Sequence, residues 1–435
     1  MSKKFFACLL FVVMFAAVAS AAELSLSEVN NFLNTSAKVG EGTKANQIAV
    51  IPFNHIDGPK EEDLFYAFVP FKYVARDYIK YQITFIACTC RPAALNVWST
   101  AYVELSLPSS GKIADAEVKF LSFEKDSTGH YIAGFWGDSN PSPLASTATL
   151  EKFNAEMLPY YIGKKYSELA NYNQVGDFKD FNVDAWTGAT VSSNNILRAI
   201  QALYAYHATD SFFDGDPKAV ELRGILATKR EAVEAKANVA MTAAETTELP
   251  APVNTTKKYK ANKDDPDEKF CEPGNFGPSC SAINNENLRA YLGRSDVMYI
   301  DIRNFEDYSQ KHLRNFECIP YNALIFNADA NKDPSLPQLY AGTTDNPIPV
   351  YKESDEILAA LFPKNKTIFL MCQGGGRVNN LMKILNARGW DMSKVYNIGG
   401  MGHYAIPAYK DITMDAPEVS IKTTYNFSGL TRIAK

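Results

Sequence analysis

The chain has 435 residues, a formal net charge of −5, and 46% hydrophobic against 21% charged residues. That length accommodates two or three domains with sizeable cores and excludes a disordered chain. The mild acidity argues against nucleic acid as the main partner. Five histidines, with no Cys-x-x-Cys or His-x-x-x-His spacing, argue against a zinc site, so no metal is expected.

Residues 1–22 read as a signal peptide. Lys3 and Lys4 precede an apolar run over 5–18, and Ala17, Ala19, Ala21 and Ala22 supply small residues for cleavage. Extended to Ala22, the run just reaches the length of an uncleaved anchor, the alternative reading. Either way the chain is expected to be exported, to a periplasm or an extracytoplasmic surface, with membrane association open. Residues 23–65 are polar and mixed and receive no role. Strands are expected over 64–71, 82–90, 101–107 and 116–123, with a turn at Pro108-Ser109-Ser110-Gly111. Residues 150–169 read as helical, broken around Pro159 and Gly163. A longer helix is expected over 191–207, where Ile196, Leu197, Ile200, Leu203 and Tyr204 recur at helical spacing. These elements bound a domain at 66–212. A charged helix over 217–241 and a linker rich in Ala, Thr, Pro and Lys over 242–269 fill residues 213–270.

Six cysteines remain after Cys8. Cys88 and Cys90 share a strand face about 6.5–7 Å apart, as packed thiols or a redox pair. Cys271 and Cys280 flank a turn-rich segment, and a local bridge there is favoured, adding up to ~3 kcal/mol by loop closure. A second domain is expected at 271–415 and a tail at 416–435.

The string Asp184-Ala185-Trp186-Thr187-Gly188-Ala189-Thr190-Val191-Ser192-Ser193 has a physical logic. Gly188 allows a tight turn. Ser192, Ser193 and Asn194 follow at a helix start and can cap it. Free N–H groups and the helix dipole make that start an anion site beside the Thr190 hydroxyl. The string resembles the attachment signature of the covalent FMN-binding domain family, as in the flavinylated subunits of Rnf and Na+-translocating NADH:quinone reductase complexes. The resemblance covers roughly 80–208. It implies an α+β domain in which Thr190 holds FMN through a phosphoester, placed there by a separate flavin transferase with FAD as donor. Asp184, Thr187, Gly188 and Ala189 would be read during attachment, and Ser192 and Ser193 would line the cofactor site.

Downstream, Val297 to Arg303 reads as a buried strand ending in a charged pair, and Phe305 to Leu313 follows. Residues 367–371 form a second buried strand that delivers Cys372. Gln373, Gly374, Gly375, Gly376 and Arg377 form a loop whose backbone N–H groups can converge on the sulfur, favouring the nucleophilic thiolate. Arg377 can bind an anionic donor. Asp301-x-Arg303, the Lys311-His312-Leu313 run, the Cys372 loop and Gly399-Gly400 resemble the rhodanese family over roughly 285–410. This implies an α/β domain with a central parallel sheet and a persulfide on Cys372. Lys311 stands where that family usually has Gly. Gln373 replaces the usual basic residue, which favours a neutral or polysulfide donor over thiosulfate. Cys318, His312 and His403 read as structural.

The combined expectation is an exported redox flavoprotein with rhodanese-type sulfurtransferase activity. Its partners would be membrane or surface electron-transfer proteins and a sulfane sulfur donor or acceptor. Two alternatives stay open. The rhodanese-like domain of a flavin electron carrier only docks a partner, or the chain is a sulfurtransferase without flavin. The linker is long enough for Cys372 to approach or leave the flavin.

Overall fold

A computed structural model describes residues 24–34, 39, 49–57, 60–88, 97–125, 149–186, 189–241, 247–261, 264–314, 316–333, 335–415 and 420–434. The signal-peptide segment, Cys8 and Cys90 lie outside these residues, as do Thr187 and Gly188. No helix among the described residues is long and apolar enough to cross a membrane.

The chain opens with α1 (Leu26–Leu33), capped by a reciprocal Ser25–Glu28 box. Five strands follow: β1 (Ala49–Asp57), β2 (Lys60–Val74), β3 (Tyr78–Cys88), β4 (Val97–Ser106) and β5 (Val118–Phe123). They form an antiparallel sheet in chain order. Alternation splits the strand residues between two cores. Ile79, Tyr81, Ile83 and Phe85 of β3, with Ala67 and Val69 of β2, pack on one face beneath α2 (Thr190–His207). Val50, Tyr66 and Phe68 point to the other face. Helix α3 (Pro217–Met241) lies along β1 and α2. The unit is therefore wider than 66–212. Strand β1 carries no role in the sequence reading because Pro52, Asn54 and Asp57 break its strand signal; as the edge strand it tolerates the proline.

The second half holds β6 (Val297–Asp301), α4 (Phe305–Gln310), β7 (Lys311–Leu313), β8 (Glu317–Cys318), α5 (Ser354–Leu361), β9 (Thr367–Cys372), α6 (Gly376–Ala387), β10 (Val395–Gly400) and β11 (Thr413–Asp415). Its central sheet is parallel, in the order β8-β6-β9-β10. Here too the strand alternation divides two cores. Phe369 and Met371 join the core shared with Tyr66 and Phe68, whereas Ile368, Leu370 and Cys372 face the opposite core. Helix α1 belongs to that opposite core through Val29 and Leu33. The tail packs there as well: Phe427 stacks on Tyr351 at 5.5 Å, and the Ile433 N–H donates to Val350 O at 3.0 Å.

The two halves are docked. The Gln82 side chain donates to Thr413 O at 3.3 Å and accepts from the Asp415 N–H at 2.8 Å. Glu124, just after β5, is buried between Lys410 and Lys311. Lys311 also reaches Asp415 at 3.1 Å. The lysine that departs from the rhodanese pattern thus makes a contact to the end of the first sheet. Burial pulls the Lys410 ammonium pKa down, against the field of Glu124.

The linker segment is also held. Arg294 donates to Thr247 O at 2.6 Å, Tyr396 to Pro250 O at 2.8 Å, and the Asn254 N–H to Cys280 O at 2.8 Å. These bonds fix residues 247–254 against the second half, contrary to a free tether. Helix α2 packs on one face of the first sheet and the shared core lies on the other, while Cys372 ends a strand of the second sheet with its side chain on the face away from the shared core. At about 10 Å per packed layer, that places α2 and Cys372 on the order of 20 Å apart or more.

Two buried histidines make the fold acid-sensitive. His207 accepts from the Tyr81 hydroxyl at 2.9 Å and donates to Ser106 O at 3.0 Å, tautomers assigned from these partners. His312 stacks on Tyr308 at 4.0 Å and donates through Nδ1 to Tyr308 O at 2.7 Å. Burial pushes each pKa down to about 4. Both lie below the unfolded value, so the unfolded chain binds more protons between the two values. Stability is present above about pH 6.5 and is lost as pH falls toward 4. Each histidine is expected to cost roughly 2 kcal/mol at pH 5 relative to pH 7. Urea midpoints at the two pH values check this, and an unchanged midpoint rules it out.

Candidate functional site

The first site forms where a short turn, Val183–Trp186, feeds α2. Trp186 is buried against Phe153 at 6.3 Å and Phe181 at 5.9 Å, which fixes the turn. The Ala189 N–H donates to Trp186 O at 3.0 Å, and α2 begins at Thr190. Its N-cap is therefore Ala189, which supplies no side-chain hydrogen bond. This corrects the expectation that Ser192, Ser193 and Asn194 cap the helix. They lie within its first turns and point inward. The Ser193 hydroxyl donates to Ala189 O at 2.9 Å, and Asn194 accepts from the Val175 N–H at 2.9 Å. Ser192 is fully buried. Neither serine offers a hydroxyl to a ligand outside the helix in this arrangement.

Thr190 is different. It is half-buried, and its hydroxyl donates to Trp186 O at 3.0 Å, which leaves the oxygen lone pairs without a donor among the described residues. First-turn N–H groups without a side-chain cap are anion acceptors. Lys152 adds a positive charge. Its ammonium donates to Ala185 O at 2.9 Å and sits 5.2 Å from the centre of the Trp186 ring. Asp184 is exposed beside it. The residues present therefore fit a phosphate-bearing group. Sequence reasoning missed Lys152, because a lysine 38 positions before Thr190 carries no local signal.

The second site sits at the end of β9. Cys372 is 1% exposed, and its sulfur accepts from the Gly375 N–H at 3.1 Å. Gly375 is the N-cap of α6 with φ +87°, a conformation that favours glycine. Gln373, Gly374 and Gly376 are exposed around it. Arg377 is half-exposed, and no hydrogen bond or ion pair engages it among the described residues. It is available for an anionic donor. From behind, the Gly402 N–H donates to Gln373 O at 3.1 Å. Asn397 donates to Gly375 O at 3.0 Å and to Phe276 O at 2.6 Å. A buried asparagine in an apolar strand must find such partners, and that was the available signal for it.

The neighbouring groups are structural. Asp301 and Arg303 form a buried ion pair at 2.7 Å. Cys318 is buried, and desolvation pushes its thiol pKa well up, so it is a poor nucleophile. Cys271 and Cys280 are joined in a disulfide with Cα atoms 5.6 Å apart.

Comparison with known families agrees with this division. The FMN-binding domain family matches residues 96–205, and the rhodanese-like domain family matches residues 284–404. No curated protein matches the chain, and no solved structure does. FMN-binding domains of this kind are typically extracytoplasmic. An antiparallel sheet with helices carries the first match, and a parallel four-stranded sheet with helices carries the second. The chain carries an FMN-binding domain over residues 96–205, followed by a C-terminal rhodanese-like domain over residues 284–404.

Proposed function

We propose that the chain is an exported flavoprotein that carries FMN covalently on Thr190 for electron transfer and handles sulfane sulfur through a persulfide on Cys372. The observation that carries this reading is a pair of nucleophiles, each at a helix start. Thr190 presents its oxygen beside an uncapped first turn, and Cys372 accepts a loop N–H in the loop that ends at Arg377, which has no partner among the described residues.

When bound, FMN supplies one- and two-electron redox chemistry. The residues supply its placement. Trp186 O orients the Thr190 hydroxyl; the α2 start and Lys152, which also pairs with Glu156 at 3.9 Å, would balance phosphate charge, and the exposed Asp184 would be read by a flavin transferase. Export fits covalent attachment, since a dissociated cofactor would be lost outside the cytoplasm. Electron partners would be membrane or surface proteins.

At the second site the Cys372 thiolate attacks the outer sulfur of a persulfide- or polysulfide-type donor. An S–S bond forms at Cys372, the donor's S–S bond breaks, and the donor leaves as a thiolate with the electron pair. Arg377 holds an anionic donor, and the Gly375 N–H stabilises sulfur charge. Gln373 in place of a basic residue favours a neutral or polysulfide donor.

The layers separating Thr190 from Cys372 favour two sites that react separately over direct reduction of the persulfide at the flavin of the same chain. The test is peptide mass mapping of the protein matured with a flavin transferase, before and after polysulfide. FMN on the Thr190 peptide and one added sulfur on the Cys372 peptide support the reading. Flavin without added sulfur leaves an electron carrier whose rhodanese-like domain docks a partner. Added sulfur without flavin leaves a sulfurtransferase.

A further inference from the structure

The disulfide turn and the sulfur loop meet at Gly375. A Cβ there would lie 2.6 Å from Pro278 Cβ, 2.7 Å from Pro278 Cγ and 3.2 Å from Asn397 Oδ1. The proline ring therefore sits directly on the backbone of the residue whose N–H reaches the sulfur. Pro278 lies inside the loop closed by Cys271 and Cys280, nine residues apart. Asn397 binds Phe276 O of that loop and Gly375 O with one amide group. Its Oδ1 accepts from the Gly399 N–H at 3.0 Å, which fixes the amide orientation. Residues 271–280 precede the rhodanese-like match, which starts at 284.

We propose that the disulfide-closed turn 271–280 is a positioning element of the sulfur site. Through Pro278 and the Phe276 carbonyl on Asn397, it holds the Gly375 N–H on Cys372 Sγ and so stabilises the thiolate that accepts sulfur. This rests on the sulfur-transfer reading of Cys372. A hydrogen bond to the anionic form favours that form, and a donor held in place needs no rearrangement when charge develops. The bridge narrows the freedom of a short turn that would otherwise fluctuate over the loop. Cys271 is 2% exposed and Cys280 0%, so a buried brace is the role this bond fits, not an exposed switch. The ionisable groups on the elements around the sulfur include Arg377 and Lys383 on α6, Tyr396 on β10 with His403 beyond it, Tyr299 and the Asp301–Arg303 pair on and after β6, and Glu272 on the turn itself. None of them is altered in the variants below.

The experiment uses the full chain with Pro278→Ala, which keeps the bridge, and with Cys271→Ser/Cys280→Ser. Two readouts need no sulfur donor: amide hydrogen exchange of the Cys372–Arg377 peptide, and the pH profile of Cys372 alkylation by iodoacetamide, read on that peptide. Exchange is expected to rise about tenfold or more in both variants. Half-maximal alkylation is expected to move to higher pH. A folded Pro278→Ala protein with parental exchange and parental pH profile overturns the proposal, even if the double variant does not fold. If these readouts move while the parent takes up no sulfur, the positioning stands and the sulfur-transfer reading falls.

Discussion

Thr190→Ala is expected to remove covalent flavin completely while leaving the fold intact. The parent, matured by a flavin transferase, should gain the mass of FMN minus water, and the variant should gain nothing. The structure makes this sharper than the motif alone does. A neighbouring hydroxyl would be the route to rescue, and Thr187, Ser192 and Ser193 stand within three residues, Thr187 outside the described residues. Ser193 is buried and spends its proton on Ala189 O, and Ser192 is fully buried. Among the described hydroxyl residues of the motif, only Thr190 combines partial exposure with a place at the first helical residue. Loss of its bond to Trp186 O should cost about 1 kcal/mol, too little to unfold the domain. Thr190→Ser keeps an oxygen at the same place and is expected to retain flavin. The measurement is intact mass with flavin fluorescence on a denaturing gel. Full flavinylation of Thr190→Ala would show that another residue holds the cofactor.

The two sites were legible in sequence because each is a local string. A turn, a helix start and a nucleophile need only ten consecutive residues, and the strand before Cys372 is a plain apolar run. What joins the sites was not legible, because it depends on tertiary pairing. Tyr66 and Phe68 look like ordinary strand residues, yet they face the second domain. Lys311 reads as a departure from the rhodanese pattern until Glu124 is found beside it, 187 positions away in the chain. Strand β1 escaped notice because its polar residues and Pro52 imitate a loop, and Asn195 on α2 meets one of them, His55, at 3.0 Å. The Asn195 side chain accepts from the Ile56 N–H at 2.8 Å and donates to Ile56 O at 2.9 Å. The capping expectation failed for a different reason. Serines at a helix start satisfy backbone groups only at the N-cap itself, and the Trp186–Ala189 turn moves the start to Thr190.

The same distinction between string and packing separates the glycines of the sulfur site. Gly374 and Gly376 look indispensable in the loop, yet a Cβ at either meets nothing within 4 Å. Gly400 looks secondary because it lies beyond the loop on β10. A Cβ there would be 2.3 Å from the Gln373 carbonyl carbon, 2.4 Å from its oxygen and 2.4 Å from Gly374 N. Its backbone is extended, with φ −164°, so conformation is not the constraint; space is. The clash is with backbone and cannot be relieved by a side-chain rotation. Gly400→Ala must push Gln373 and Gly374 away, and with them the turn that aims the Gly375 N–H at the sulfur. Overpacking of this kind costs about 1–3 kcal/mol. If that cost falls on the loop, persulfide formation on Cys372 should drop roughly tenfold to a hundredfold. Gly374→Ala and Gly376→Ala should stay within about threefold of the parent, a span worth less than ~1 kcal/mol. The rate of sulfur uptake by the Cys372 peptide from polysulfide reads all three. Equal losses across the set would mean that the loop glycines act through backbone freedom and that the contact from β10 does not set the site.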